Sequence, residues 1–83
     1  MDREDLVKAR ERARWRSRRG LLELDLLLER FLATRLEHID EAGLQAYDEL
    51  LQLPDNELLD IAMGRKAAPS DRTGAIIALL QAL

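Results

Sequence analysis

The 83-residue sequence contains no cysteine, one histidine, two prolines, four glycines and three aromatic residues. Without cysteine, a disulfide, a thiolate nucleophile and a cysteine-based zinc site are excluded. The few prolines and glycines cannot supply the many turns of a β-sandwich. Apolar runs stay well short of the roughly 20 residues of a membrane span. Because so short a chain leaves little room for a deep active site, these absences point away from an enzyme.

The residues that are present favour helices. Hydrophobic residues make up 47% of the chain, and leucine and alanine, both strong helix formers, dominate them. Apolar spacing and capping residues predict five helices, at about 4–17, 22–37, 41–52 and 56–64 and a last one that begins near 71. Asp40, Asp55 and either Ser70 or Asp71 are the expected caps, and the last helix should bury Ala75, Ile76, Leu79, Leu80 and Leu83. We therefore predict an all-α fold, a compact five-helix bundle forming one domain over 1–83, with 1–8 as its candidate flexible part.

The net charge of -3 conceals a division along the chain. Residues 1–20 carry eight Lys/Arg against four Asp/Glu, whereas residues 21–83 carry five against twelve. Such a basic segment, densest over 8–19, fits a solvated arm, a surface that docks on an acidic protein, or a nucleic-acid contact. One function left open is therefore a small nucleic-acid-associated or antitoxin-like regulator acting through 8–19.

Catalytic and metal-binding constellations are missing from the sequence. The lone histidine, His38, follows a predicted helix and is expected to close its end or to lie in water. Carboxylate pairs such as Glu37 and Glu41 resemble an ordinary solvated face, and no histidine cluster accompanies them. We therefore expect no catalytic residue, no metal site and no stably bound cofactor.

Functional groups gather instead where the first helix ends and the second begins. Arg19 could bind a partner's carboxylate or phosphate through two hydrogen bonds, or pair internally with Glu23. Gly20 carries no side chain that would hold another protein away. Trp15, the single tryptophan, could be an anchor for packing or an interface hot spot.

This segment resembles the SdhE family, the small flavinylation and assembly factors of succinate dehydrogenase. Arg19-Gly20-Leu21-Leu22-Glu23 matches the family's R-G-x-x-E signature, which alone is a weak signal. The wider pattern, from Trp15 through Arg18 to Leu24-Asp25, and a later Pro54-Asp55-Asn56-Glu57-Leu58 segment strengthen the match. The similarity spans residues 8 to 83.

The resemblance implies a chaperone-like, non-enzymatic factor that binds the flavoprotein subunit of succinate dehydrogenase, and in some bacteria that of fumarate reductase. Such a factor promotes covalent attachment of FAD to a histidine of its partner. The resemblance also implies that Arg19, Gly20 and Glu23 meet the flavoprotein near its FAD site. Trp15, Arg18 and Asp25 would support that surface. We further expect a monomer in the bacterial cytoplasm, with neither nucleic acid nor membrane insertion involved. One departure is Ile61, which stands where relatives often carry a tryptophan.

Overall fold

The structure, a computed structural model, describes residues 2–83. Its helices are α1 (Arg3–Arg16), α2 (Leu22–Arg35), α3 (Glu41–Leu51), α4 (Asp55–Ala62) and α5 (Asp71–Gln81), with a 3₁₀ turn over Leu36–His38 after α2. The predicted all-α, five-helix fold is thus confirmed. No helix within this described range is both long enough and apolar enough to cross a bilayer.

Local side-chain caps start two of the later helices as expected. The Asp40 carboxylate accepts a hydrogen bond from the Gly43 N–H at 2.8 Å. Ser70 and Thr73 form a reciprocal capping box at the start of α5. Asp55 does not cap α4: it is the first helical residue, and Pro54 precedes it without a side-chain cap. The Asp55 carboxylate is held elsewhere, as described below.

The core is aliphatic around one aromatic pair. The rings of Phe31 and Tyr47 lie 5.1 Å apart between centroids, which joins α2 to α3. In α5 the buried positions are Thr73, Ile76, Ile77 and Leu80; the predicted inner residue Ala75 is exposed. These buried residues follow one another at spacings of three, one and three positions, which places them on one face of α5. Ala75 lies outside that face.

Helix α1 offers only a thin apolar stripe to the core, so polar contacts contribute much of its docking. Ala13 is its one buried residue. The Arg10 guanidinium donates to the carbonyl oxygens of Glu37 at 3.2 Å and Ile39 at 3.5 Å. Arg14 donates to the Glu37 carboxylate at 3.1 Å. These arginines therefore fix α1 against the 3₁₀ turn that follows α2.

Candidate functional site

The R-G-x-x-E segment spans the end of the connection between α1 and α2 and the first two residues of α2, and we call residues 19–23 the motif turn. Gly20 has φ +85°, a left-handed conformation that glycine adopts without strain. A Cβ placed on Gly20 would have no heavy atom within 4 Å, so the space above this residue is open. The glycine thus serves the backbone conformation and leaves the turn accessible.

A buried hydroxyl pair holds the approach to the turn. The Ser17 hydroxyl donates to the Ala13 carbonyl at 2.6 Å, and the Tyr47 hydroxyl lies 2.5 Å from the Ser17 oxygen. Since Ser17 has already used its proton, Tyr47 is the donor in this second bond. Burial raises the pKa of Tyr47 to about 12, against the opposing effects of the Ser17 hydrogen bond and the Arg19 charge. The end of α1 is thereby anchored to α3.

Asp25 closes the motif turn from the first turn of α2. One of its carboxylate oxygens accepts the Arg19 N–H at 2.8 Å, and the other accepts the Gly20 N–H at 3.0 Å. The negative charge also lies at the positive end of the α2 dipole. Asp25 therefore orders the backbone of the turn in addition to any contact it makes with a partner.

Arg19 lies largely inside the molecule, with 15% of its side chain exposed. Its Nε donates to the Asp55 carboxylate at 2.7 Å, and its Nη2 donates to the Leu53 carbonyl at 2.6 Å. Its Nη1 donates to the Leu51 carbonyl. The sequence allowed Arg19 either to bind a partner's carboxylate or phosphate or to pair internally with Glu23. In the structure Arg19 pairs internally, but with Asp55 in place of Glu23.

The position of the guanidinium has a simple electrostatic reason. Leu51 ends α3 and Asp55 begins α4, so Arg19 bridges a free carbonyl at a negative helix end and a carboxylate at a positive one. We call this arrangement the Arg19 clamp. It ties the motif turn to the α3–α4 connection.

Three other predicted partner-binding residues, Trp15, Arg18 and Glu23, have exposed side chains. Trp15 is 70% exposed, and the Arg18 guanidinium lies over its ring, 5.4 Å from the centroid. Glu23 is exposed and forms neither a hydrogen bond nor an ion pair with any residue of the described chain. Arg18, Gly20 and Asp25 line one groove, while Glu23 lines another on the outer side of α2. Four of the six predicted partner-binding residues thus line two neighbouring grooves, whereas Trp15 lines neither and Arg19 lies largely inside the molecule.

Three residues of this region were not singled out from the sequence. Asp55 was predicted only as a cap, although it is the ionic partner of Arg19. Leu22, inside the motif turn, and Leu26, one helical turn further along α2, are exposed leucines. The available signal was that both fall outside the periodic stripe of α2 that contains Leu24 and Leu28.

Most of the basic segment is neutralised by the fold. Within 8–19, ion pairs join Lys8 to Glu4, Arg16 to Asp48, and Arg10, Arg14 and Arg19 to the carboxylates already named. Over residues 2–83, only Arg12 and Arg18 of this segment lack a carboxylate partner. The concentrated positive field that a nucleic-acid contact needs is therefore weakened.

Two further residues that the sequence analysis named, Ile61 and His38, lie outside the motif turn. Ile61 is 1% exposed and packs in the core, so its side chain cannot touch a partner in this conformation. His38 is exposed at the end of the 3₁₀ turn. In the part of the chain that the structure describes, no cluster of three or more His, Asp or Glu could hold a metal ion.

Comparison with known proteins identifies the family. A family profile described as "flavinator of succinate dehydrogenase" matches residues 11–83. A FAD assembly factor SdhE from Ralstonia nicotianae is 44% identical over 57 residues, covering 69% of this chain and 60% of that protein. The corresponding factor from Coxiella burnetii is 36% identical over 75 residues, covering 90% and 92%.

A more distant organism carries a similar protein. The mitochondrial succinate dehydrogenase assembly factor 2 of Aedes aegypti is 37% identical over 81 residues, which cover 94% of this chain and half of that protein. No solved structure matches the chain. Because the family profile covers nearly all of the described helices, the chain belongs to the Sdh5 family, the flavinators of succinate dehydrogenase.

Proposed function

We propose that this protein binds the flavoprotein subunit of succinate dehydrogenase and promotes covalent attachment of FAD to it. The family match over residues 11–83 carries the proposal. The ordered, accessible motif turn supports it, because a surface for another protein is what the chain offers in place of an active site. The same flavinylation role toward fumarate reductase is an extension that the motif turn could serve equally.

The proposed mechanism requires no catalytic group from this chain. Attachment of FAD needs a histidine of the flavoprotein and the flavin to remain in attack geometry, and a rigid partner can maintain it by restricting domain motion. Gly20, Glu23 and the Trp15–Arg18 pair are the proposed contacts. Arg19 and Asp25 contribute by ordering the backbone that presents them. FAD would belong to the partner throughout.

The test is reconstitution of flavinylation from purified components. The apo flavoprotein subunit is incubated with FAD, with and without this protein, then denatured, and its covalent flavin fluorescence is measured. The proposal predicts a faster or more complete reaction when the protein is present. Equal rates in both samples would refute it. Sedimentation of the isolated protein tests the accompanying expectation of a monomer, and fractionation of the cell tests that of a cytoplasmic location.

Glu23→Ala is the most informative variant for this assay. Glu23 makes no ion pair or hydrogen bond with residues 2–83, so its replacement should leave the fold intact. A matched control is Asp71→Ala, which removes an exposed carboxylate from the same position in the helix, the first turn, but in α5. Reduced flavinylation with Glu23→Ala alone would locate the contact at the motif turn.

A further inference from the structure

Exposed large hydrophobic side chains concentrate around the motif turn. Five occur among residues 2–83: Val7, Trp15, Leu22, Leu26 and Met63. Trp15 lies just before the turn, Leu22 lies inside it, and Leu26 lies one helical turn beyond. Single exposed apolar residues are common on proteins, but three within twelve positions of one segment give the surface around the turn a local apolar character.

Leu22 and Leu26 begin a stripe along the outer side of α2. They are 70% and 57% exposed, and their spacing of four residues places them on one face. Glu29 and Ala33 continue that face at the next helical spacings. We call these four residues the α2 stripe. The core uses a different face of the helix, formed by Leu24, Leu28 and Phe31.

The stripe is continuous with the motif turn. Leu22 belongs to both, and a shallow groove beside the stripe is lined by Glu23 together with Leu26, Glu29 and Ala33. The motif glutamate therefore stands at the edge of an apolar surface. A partner that covers this groove would also cover Glu23.

The charge of Glu23 restricts what the partner can present. Covering the groove would remove water from the Glu23 carboxylate and from that of Glu29 in the same groove, and neither side chain has an ion pair or hydrogen bond within residues 2–83. An unpaired carboxylate is costly to bury, so a complementary surface has to supply a cation. Arg30 also lines the groove, but it forms no ion pair with Glu23.

We propose that the α2 stripe extends the docking surface and receives an apolar patch of the flavoprotein subunit, with a Lys or Arg of that subunit facing Glu23. The inference rests on the proposed function, since it names the same partner. It adds the α2 stripe to the contact area, and it adds a Lys or Arg of the partner as the group that faces Glu23. The contact would continue from Trp15 across the turn to Leu26.

The experiment measures affinity for the purified apo flavoprotein subunit, using Leu22→Glu, Leu26→Glu and the double variant. Met63→Glu is the matched control, because Met63 is 56% exposed and lies at the far end of α4 from Asp55. Glutamate is a good helix former and suits the first turn of a helix, so the variants should fold normally. Circular dichroism and melting temperature verify this.

Loss of the apolar contact should weaken binding about tenfold at each position and about a hundredfold in the double variant. Met63→Glu should bind as the wild type does. Glu23→Gln should weaken binding and flatten its dependence on salt, because it removes one ionic contact.

Two results would overturn the inference while leaving the proposed function standing. One is wild-type-like affinity for both leucine variants when the wild type itself binds. The other is a self-associating protein that Leu26→Glu converts to a monomer with no change in flavoprotein binding, which would assign the stripe to a second copy. If the wild type neither binds nor promotes flavinylation, the proposed function fails and the inference fails with it.

Discussion

The Arg19 clamp should contribute to global stability as well as to the shape of the motif turn. Replacement by alanine removes one charge-assisted bond to Asp55 and two bonds to backbone carbonyls. Hydrogen bonds to charged groups contribute about 1.5–3 kcal/mol each when well buried. Here the Asp55 side chain is 38% exposed, so screening reduces its share, and the freed carbonyls can be hydrated.

We expect Arg19→Ala to lower the free energy of unfolding by about 2–3 kcal/mol. A domain of this length has a total stability of about 4–12 kcal/mol, so the loss is substantial. It corresponds to a fall in melting temperature of about 10–20 °C. Chemical and thermal unfolding followed by circular dichroism measure both quantities.

Arg18→Ala is the matched control for this prediction. Arg18 is adjacent, equally charged and exposed, and its recorded contact is the stack on Trp15. Its removal should shift the melting temperature by only a few degrees. A double-mutant cycle with Asp55→Ala isolates the ionic part of the clamp. Arg19→Ala melting within a degree or two of the wild type would refute the structural role argued for Arg19.

Three other perturbations test the turn and its anchor. Gly20→Ala should lower stability by about 1 kcal/mol, because Gly20 has φ +85° while its surroundings are open; unchanged unfolding in urea would contradict this. Asp25→Ala frees two backbone donors, so the amide protons of Arg19 and Gly20 should exchange faster, and unaltered exchange would argue against the carboxylate closure. Tyr47 has a folded-state pKa of about 12 against 10.0 in the unfolded chain, so its stabilising contribution is complete below pH 10 and is lost as pH rises to 12. Tyr47→Phe should show a shallower loss of melting temperature between pH 10 and 12, and identical pH profiles would exclude this titration as a cause.

The parts of the fold that depend on local chemistry were predictable from the sequence. Asp40 and Ser70 begin helices because their side chains reach backbone donors three residues away, and such reach is readable in a linear pattern. Four buried residues of α3, Leu44, Tyr47, Leu50 and Leu51, have the spacing of one helix face, which can be read from the sequence, and Ala46 is buried beside them. These features involve neighbours in the chain.

The clamp could not be predicted, because Arg19 and Asp55 are 36 residues apart. Their pairing depends on how α3 and α4 pack against the end of α1, and many carboxylates were equally plausible partners for an arginine. The exposed leucines were hidden for a different reason. Leu22 and Leu26 fall outside the stripe of α2 that contains Leu24 and Leu28, but the helix carries leucine on nearly every side, so a position off that stripe did not by itself predict exposure.

The central claim is that the motif turn engages a flavoprotein and promotes attachment of its flavin. Covalent flavin fluorescence of the denatured succinate dehydrogenase flavoprotein subunit tests it most directly, measured after reconstitution with wild-type protein, with Glu23→Ala or with no added factor. The account predicts a strong signal with the wild type, and a signal close to the unassisted level with a folded Glu23→Ala variant. Equal flavinylation in all three samples would contradict it.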